Sequence, residues 1–362
     1  METSGRSRFA RRSGAAVIST VVLLIGLASC GDSDEATTAA TETATAATPA
    51  EQAEAAPTTE TVAPTSGPDD SPTTNATAAQ PAAFPVTVTH PLGTTTIEER
   101  PTRIVTLTDG GGLSSLLSLG LQPVAFGQRT DPLVSWIADR IDADVETFDG
   151  DVTALNFELI AGYEPDLIIG QVGFLEEANF ELVSQIAPTV ATPDGWRDIL
   201  RIVAEATGTV EVGATVRAAT EQLIEDFDPG IDGPLPSLTF AVFGPEQFFV
   251  FNERSTIGML MAEVGIGPLA APIDNEFAPN VNVFSAEEVE AIDTDALILL
   301  DPFGGSPEAF EANPLTQSLP AVQADRVLFT DPIETRSLNF DSVLTVPINL
   351  EFLRSFYAEL QQ

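Results

Sequence analysis

The chain has 362 residues, of which 54 are acidic and 15 are basic, and its formal net charge at pH 7 is −39. Every basic residue is an arginine, and four of them precede residue 30, so the rest of the chain is more acidic still. Binding to the phosphates of DNA or RNA needs a basic surface, so this composition excludes nucleic acid as a partner.

The N-terminus reads as an export signal. An arginine-bearing start leads into an apolar run over residues 15–28, which is shorter than the roughly 20 residues that span a membrane. The letters LASC at 27–30 resemble a bacterial lipobox, in which the cysteine is lipidated and becomes the mature N-terminus. We therefore predict a signal peptide over 1–29 and a lipid anchor at Cys30. The alternative is an ordinary secretory signal with an incidental cysteine.

Cys30 is the single cysteine, so no disulfide can form within one chain. Residues 31–83 contain no aromatic residue and little aliphatic content beyond alanine. Such a segment cannot bury enough apolar surface to offset its chain entropy. We predict that residues 30–84 are the lipidated cysteine and a disordered tether.

Residues 85–207 are predicted to form a first α/β lobe. Strands at 86–89 and 97–99 suggest an opening hairpin. Short apolar runs then alternate with helical patterns, which predicts a parallel sheet covered on both faces. The predicted strands lie at 103–108, 124–127, 166–170 and 189–192, and the predicted helices at 113–119, 156–163 and 176–186.

A long helix from Val210 to about Phe227 is predicted within a linker over 208–232. One predicted face carries apolar residues every three or four positions, namely Val212, Val216, Ala219, Leu223 and Phe227. A helix of this length is roughly 27 Å long. A second lobe over 233–362 follows, with strands at 238–244, 248–252, 296–301 and 327–331, and helices at 256–265 and about 341–360. The predicted fold is two α/β lobes with mainly parallel sheets, joined by a single long helix.

Six phrases in order resemble one family, the substrate-binding proteins of ABC transporters for iron-siderophores, haem and cobalamin. The resemblance covers about residues 86–360. The phrases are THPLGTTTI at 89–97, RPTRIVTL at 100–107, LNFELIAGYEPDLIIG at 155–170, SQIAPTV at 184–190, FSAEEVEAIDTDALIL at 284–299 and NPLTQSLPAVQADRV at 313–327.

The resemblance implies a lipid-anchored protein on the extracytoplasmic face of the cell membrane. It would capture a ferric siderophore in the cleft between its lobes and deliver it to an ABC permease. Iron would travel inside the siderophore, so no cofactor or protein metal site is expected, and the protein would be a monomer held to the membrane by lipid alone. Alternatives are a cobalamin or haem binder, or a scaffolding lipoprotein with the same fold and no transported ligand.

The loop after the first apolar strand is one candidate ligand site. It contains Asp109 and Gly110, followed by two more glycines, and opens a helix. The glycines would let a ligand approach the backbone, where free N–H groups favour an anion. A simple strand-to-helix turn is the alternative.

Three loops that follow predicted strands each carry an arginine, although arginine is scarce in this chain. Arginine binds carboxylate or catecholate oxygens with a bidentate fork. We therefore expect Arg129, Arg254 and Arg336 to form a positive ligand pocket. The alternative is that each pairs on the surface with an acid close to it in sequence, namely Asp131, Glu253 or Glu334.

The resemblance assigns further roles. Phe174 falls where relatives often carry an aromatic residue that touches the ligand, whereas Trp136 and Trp196 lie in helical patterns and are expected to pack in the core. In the family, one glutamate on each lobe docks onto arginines of the permease, and the matching positions are Glu177 and Glu287. Their neighbours Glu176 and Glu288 could serve instead, or all four could simply be solvated helix residues.

An enzymatic function is not expected. His90 is the single histidine, so a metal site built from several histidines and a Cys–His or Ser–His dyad are disfavoured. A hydrolase that uses only carboxylates would need two acids facing one another in the cleft, and no spacing in the sequence singles out such a pair.

Overall fold

A computed structural model describes residues 83–361, apart from Phe174, Asp232, Pro268, Leu269, residues 274–277 and Phe303. The predicted signal peptide, Cys30 and almost all of the predicted tether lie outside the described residues, as does Phe174. In the part of the chain that is described, no helix is both long and apolar enough to cross a membrane.

The chain opens with the predicted hairpin. Strand β1 (Val86–His90) pairs antiparallel with β2 (Gly93–Ile97), and His90 lies opposite Gly93. The second strand was expected at 97–99 and begins four residues earlier. Gly93 adopts a φ of +127°, a conformation open to glycine, so the turn closes directly after His90.

The first lobe contains a parallel sheet with the strand order β5-β4-β3-β6-β7. The strand β5 and the short helix α2 were not predicted from the sequence. β5 gave no apolar signal because it is mostly polar and buries only Phe148. The elements are β3 (Ile104–Thr106), α1 (Gly111–Ser118), β4 (Ala125–Gln128), α2 (Ser135–Ala138), β5 (Glu146–Asp149), α3 (Phe157–Gly162), β6 (Leu167–Gln171), α4 (Glu177–Val183) and β7 (Thr189–Thr192).

Two helices lead to the second lobe, α5 (Trp196–Thr207) and α6 (Val210–Glu225). The predicted buried face of α6 is wrong by about one residue: Val212 and Leu223 are 45% and 48% exposed, while Thr220 and Ile224 are buried. A Cβ on Gly213 would lie 2.7 Å from the Cβ of Ala204, so α6 approaches α5 through Gly213. This contact fixes the rotation of the helix.

The second lobe contains a mixed sheet with the strand order β10-β9-β8-β11-β12. Its strands β8, β11 and β12 are parallel, whereas β9 and β10 are antiparallel to their neighbours. The elements are β8 (Leu238–Phe243), β9 (Gln247–Phe251), α7 (Thr256–Glu263), β10 (Val281–Ser285), β11 (Ala296–Leu299), α8 (Ser306–Ala312), α9 (Pro320–Gln323), β12 (Val327–Phe329), α10 (Pro332–Asn339) and α11 (Val346–Glu359).

The end of the chain differs from its prediction. The expected single helix over about 341–360 is α11, and a separate helix α10 covers the segment that was read as a loop. Between them, the hydroxyl of Thr345 donates to the carbonyls of Phe340 and Ser342. The hydroxyl of Ser342 in turn accepts from the Leu344 N–H. These local bonds favour turns over a continuous helix.

The largest apolar cluster contains residues of both lobes. It includes Ile199 of α5, Ile257 of α7 and Leu350 of α11. The predicted architecture of two α/β lobes joined by a long helix is therefore confirmed, and the lobes share one core where they meet.

Candidate functional site

The junction between the lobes is built around the turn that follows α10. The ring of Phe340 packs against Trp136 of the first lobe, with centroids 6.2 Å apart and an interplanar angle of 69°. This edge-on arrangement is favoured between aromatic rings. On α10, the guanidinium of Arg336 donates to the carbonyl of Pro132 at 3.4 Å, also across the junction. Arg336 thus lies on a helix that contacts the first lobe, and not in the loop expected from the sequence.

Asp341 joins the lobes through the start of α5. Its carboxylate accepts from the backbone N–H of Gly195, which is the N-cap residue of α5 and has no side chain to cap the helix itself. Burial raises the pKa of Asp341, and the nearby charge of Asp194 raises it further, whereas hydrogen bonds from the N–H groups of Gly195 and Trp196 oppose the shift. A carboxylate from the second lobe therefore caps a helix of the first.

Arg197 links three helices at the same junction. Its Nε bonds Glu221 of α6 at 2.9 Å, and its two terminal nitrogens bond Glu263 of α7 at 2.9 and 2.7 Å. The guanidinium also lies 4.4 Å from the ring centroid of Trp196. The hydrogen bonds to Glu263 make the largest contribution to raising the pKa of Arg197. This bidentate pair fixes the position of α7 relative to α5.

Asp109, a predicted ligand residue, is buried at the end of β3. One carboxylate oxygen accepts from the Thr130 N–H at 2.9 Å, from its hydroxyl at 2.6 Å and from the Arg129 N–H at 3.2 Å. The carboxylate therefore shapes the loop that carries Arg129. Contact between Asp109 and a ligand stays a prediction.

The three glycines after Asp109 lie in close contacts within the protein. A Cβ on Gly110 would lie 2.8 Å from the amide oxygen of Gln171, and one on Gly112 would lie 2.8 Å from a methyl of Ile169. A Cβ on Gly111 would lie 2.5 Å from the backbone carbonyl of Asp341, across the lobe junction. Packing therefore accounts for Gly111 and Gly112 without a ligand, whereas the flexible end of the Gln171 side chain can move away from Gly110, whose ligand role stays a prediction.

The three arginines lie in different surroundings. Arg129 is exposed beside Gly150, and its charge contributes to lowering the pKa of Asp151, after the larger effect of hydrogen bonds from Thr153. Arg254 is also exposed, and within the described residues its guanidinium makes no hydrogen bond or ion pair. Among these same residues, no hydrogen bond or ion pair joins Arg129, Arg254 and Arg336 to a shared partner. The positive pocket stays a prediction.

The loop that carries Arg254 corrects one step of the sequence reasoning. Because β9 is antiparallel to β8, this loop leaves the sheet at the edge where the parallel strands begin. The amide nitrogen of Asn252, which is buried, donates to the Pro279 carbonyl at 3.0 Å and to the Asn282 side chain at 3.1 Å. The amide oxygen of Asn252 accepts from the Arg254 N–H at 2.9 Å. The backbone of Arg254 is thus firmly positioned.

Both predicted docking glutamates are exposed. Glu177 is the first residue of α4. Glu287 follows β10 in a turn, where a helix was expected from the sequence. Its neighbour Glu288 accepts from the Ser285 N–H at 2.8 Å, whereas the Glu287 carboxylate has no hydrogen-bond or ion-pair partner among the described residues. The geometry therefore favours Glu287 over Glu288 as the residue available to a partner.

Several cavities lie in the described part of the chain, and three of them concern the site. One of about 180 Å³ is at the lobe junction, between Trp196, Leu260 and Asp341. One of about 580 Å³ lies beside Glu287, with Pro314 and Leu315 in its wall. A third of about 660 Å³ lies on one face of the second sheet. Among the described residues, no group of three or more histidine, cysteine, aspartate or glutamate side chains could hold a metal ion.

The family model described as "Periplasmic binding protein" matches residues 109–334, more than half of the chain. The chain belongs to the periplasmic binding protein family. Members of this family and fold are substrate-binding proteins and not enzymes. The resemblance noted from the sequence is thereby confirmed.

Two curated relatives of this periplasmic binding protein come from Bacillus subtilis. The first is named "Probable siderophore-binding lipoprotein YfiY" and is 29% identical over 186 residues, 49% of this chain but only 56% of the relative. The second, YhfQ, is named as a candidate ABC transporter substrate-binding lipoprotein and is 27% identical over 68% of this chain and 81% of its own.

Solved structures show the same fold. A periplasmic solute binding protein from Mycobacterium smegmatis has a TM-score of 0.66 at 21% identity, covering 76% of this chain and 99% of its own. PiaA from Streptococcus pneumoniae, solved with ferrichrome, has a TM-score of 0.61 at 21% identity, covering 76% and 98%.

The sequence reasoning missed the residues that join the lobes, chiefly Arg197, Phe340 and Asp341. The scarcity of arginine was a usable signal for Arg197, because an arginine beside a tryptophan in a mostly acidic chain suggests a specific contact. No comparable signal marks Asp341 in a chain with 54 acidic residues.

Proposed function

We propose that this periplasmic binding protein is a lipid-anchored extracytoplasmic protein that captures a ferric siderophore between its lobes and delivers it to an ABC permease. The observation that carries the proposal is the pair of α/β lobes joined through α6 and a shared core, in a chain of this family. A two-lobed protein of this kind offers a cleft for a ligand. The name of the relative YfiY and the ferrichrome in the PiaA structure support the choice of ligand.

The ligand would bring its own iron. A ferric siderophore supplies all of the ligands to the metal, so the protein would contact the chelate and not the iron. Arg129, Arg254 and Arg336 are the proposed contacts for anionic oxygens of the chelate. Arg336, whose guanidinium contacts the first lobe at the Pro132 carbonyl, is the best placed of the three to meet a ligand between the lobes, because the Arg254 loop leaves the second sheet where its parallel strands begin.

Delivery would use one carboxylate on each lobe. Glu177 and Glu287 are exposed and lie on different lobes, so together they could contact two basic sites of a permease. Cys30 would place the protein at the membrane through its acyl chains, since two chains anchor a protein stably.

The proposal is tested by uptake of ⁵⁵Fe-labelled siderophores in the native host after deletion of the gene. Restoring the full chain should restore uptake, whereas a chain with Glu177→Arg and Glu287→Arg should not, although its affinity for the siderophore should be unchanged. The matched control reverses the neighbours Glu176 and Glu288 and should restore uptake. Normal uptake with the first double variant would reject the docking role, and normal uptake in the deletion strain would reject the function.

A further inference from the structure

The cavity of about 660 Å³ on the second lobe has an unusual lining for this protein. Although the net charge of the chain is −39, none of the described residues that line the cavity is charged. They are Val242, Phe243, Gly244, Pro245, Phe249, Phe251, Asn280, Val281, Pro302, Gly304, Gly305 and Asn339. A random surface of so acidic a protein would include carboxylates.

The floor of the cavity is one face of the sheet. Val242 lies opposite Phe249 across β8 and β9, and Phe251 lies opposite Val281 across β9 and β10. Because side chains alternate between faces along a strand, these four residues share a face. Phe251 is buried, whereas the other three are only half-buried.

The opposite face of the same strands is covered by packed aromatic side chains. There Phe248 stacks between Phe243 and Phe284, with centroids 4.8 and 5.3 Å away. That face is covered by the protein's own core, whereas Val242, Phe249 and Val281 keep apolar surface beside an open cavity. Val242 and Val281 also pack against the largest apolar cluster, so the face is partly covered, and the half-buried apolar surface that remains borders the cavity.

The rim of the cavity carries two neutral amides. Asn280 and Asn339 are both exposed and both line the opening. Asn339 directly precedes Phe340, whose ring packs on Trp136 of the first lobe. The cavity thus opens next to the junction between the lobes, where the proposed chelate would lie.

We propose that this cavity is a specificity subsite that receives an uncharged apolar arm, aryl or alkyl, of the bound chelate. The inference rests on the proposed function and adds the chemical class of the ligand. Apolar surface is driven out of water into such a cavity. A carboxylate arm would lose its hydration there without gaining a cationic partner among the described lining residues, so the subsite selects against polycarboxylate chelates.

The test uses pairs of ferric chelates with identical iron-binding groups, one member with apolar arms and the other with carboxylate-bearing arms. Calorimetric titration of the full chain should show at least tenfold tighter binding of the apolar member. Val281→Phe adds a ring to the cavity and should weaken that binding about tenfold or more. The matched control is Val212→Phe, because Val212 is 45% exposed on α6 and does not line the cavity, and it should bind like the unmodified chain.

A second variant covers the case in which Val281→Phe does not fold, as judged by thermal unfolding. Phe249→Leu keeps the floor apolar but removes the ring, and should weaken binding of an aryl-armed chelate about three- to tenfold. Equal affinity for both members of a pair overturns the subsite but leaves the proposed function standing. Unchanged binding by both Phe249→Leu and a folded Val281→Phe would likewise overturn the subsite and leave the proposed function standing. If no ferric chelate binds the unmodified chain, the proposed function fails and the subsite fails with it.

Discussion

Replacement of Gly111 by alanine should create a steric clash between α1 of the first lobe and the backbone of the second lobe at Asp341, and so destabilise the lobe junction. The added methyl would lie 2.5 Å from the Asp341 carbonyl and 2.7 Å from the δ-methyl of Ile199. The isoleucine side chain can rotate away, but the carbonyl belongs to the backbone of the turn between α10 and α11. The contact can therefore be relieved only by moving the second lobe relative to α1.

The magnitude follows from two opposing effects. Overpacking of this kind costs about 1–3 kcal/mol. Alanine in place of glycine in a helix returns about 0.5–1 kcal/mol. The net loss in free energy of unfolding should be about 0–2.5 kcal/mol relative to the unmodified chain and about 1–3 kcal/mol relative to a glycine-to-alanine change without the clash, and each kcal/mol should lower Tm by about 2–4 °C.

Urea unfolding and calorimetry of the full chain measure this loss. The matched control is Gly162→Ala at the end of α3, where a Cβ would meet nothing within 4 Å. That variant should be as stable as the unmodified chain, or up to about 1 kcal/mol more stable. If Gly111→Ala unfolds at the same urea concentration as the control, the close contact between the lobes is not as described.

Three further predictions concern the same junction and its neighbouring loop. Burial raises the pKa of Asp341 in the folded state, so its ionised form opposes folding. The stability of the unmodified chain relative to Asp341→Asn should therefore rise as pH falls through the raised pKa and level off below 3.8. Urea unfolding measures this difference, and a difference that is flat with pH would contradict the prediction. A double-mutant cycle of Arg197→Met and Glu263→Gln should give a coupling free energy of about 0.5–1 kcal/mol, because both side chains are about one-third exposed and partly screened by water. Zero coupling would show that the bidentate pair does not stabilise the junction. Asp109→Ala removes three hydrogen bonds to the loop at 129–130 and should lower the free energy of unfolding by about 1–3 kcal/mol. The direct readout is faster amide hydrogen exchange at Thr130, and unchanged exchange there would refute the structural role of Asp109.

The alternation of apolar runs and helical patterns was enough to predict the two lobes, because buried parallel strands leave a distinct signal. Weaker signals failed. The strand β10 contains alternating residues of which only Asn282 is buried, so its hydrophobic pattern is slight. The apolar spacing in α6 is compatible with two adjacent faces, and only the close approach at Gly213 decides between them.

The site was harder to predict than the fold for a physical reason. The end of the sheet at which a loop lies can be predicted from sequence when every strand is parallel. The strand β9 runs antiparallel to β8, so the Arg254 loop lies at the end where the parallel strands begin. Contacts between lobes join residues far apart in the chain, such as Asp341 and Gly195, and no local pattern encodes them. The uncharged cavity likewise depends on the register of three strands.

The central claim is that a ferric siderophore binds between the lobes. Trp136 and Trp196 both lie at the lobe junction, so their fluorescence should respond to a ligand there. The measurement is a titration of the purified full chain with ferric catecholate, hydroxamate and carboxylate siderophores, their iron-free forms, haem and cobalamin. We predict saturable quenching by at least one ferric siderophore and much weaker binding of its iron-free form. Saturation by haem or cobalamin alone, or by nothing in the panel while a known siderophore-binding relative responds, would contradict the account.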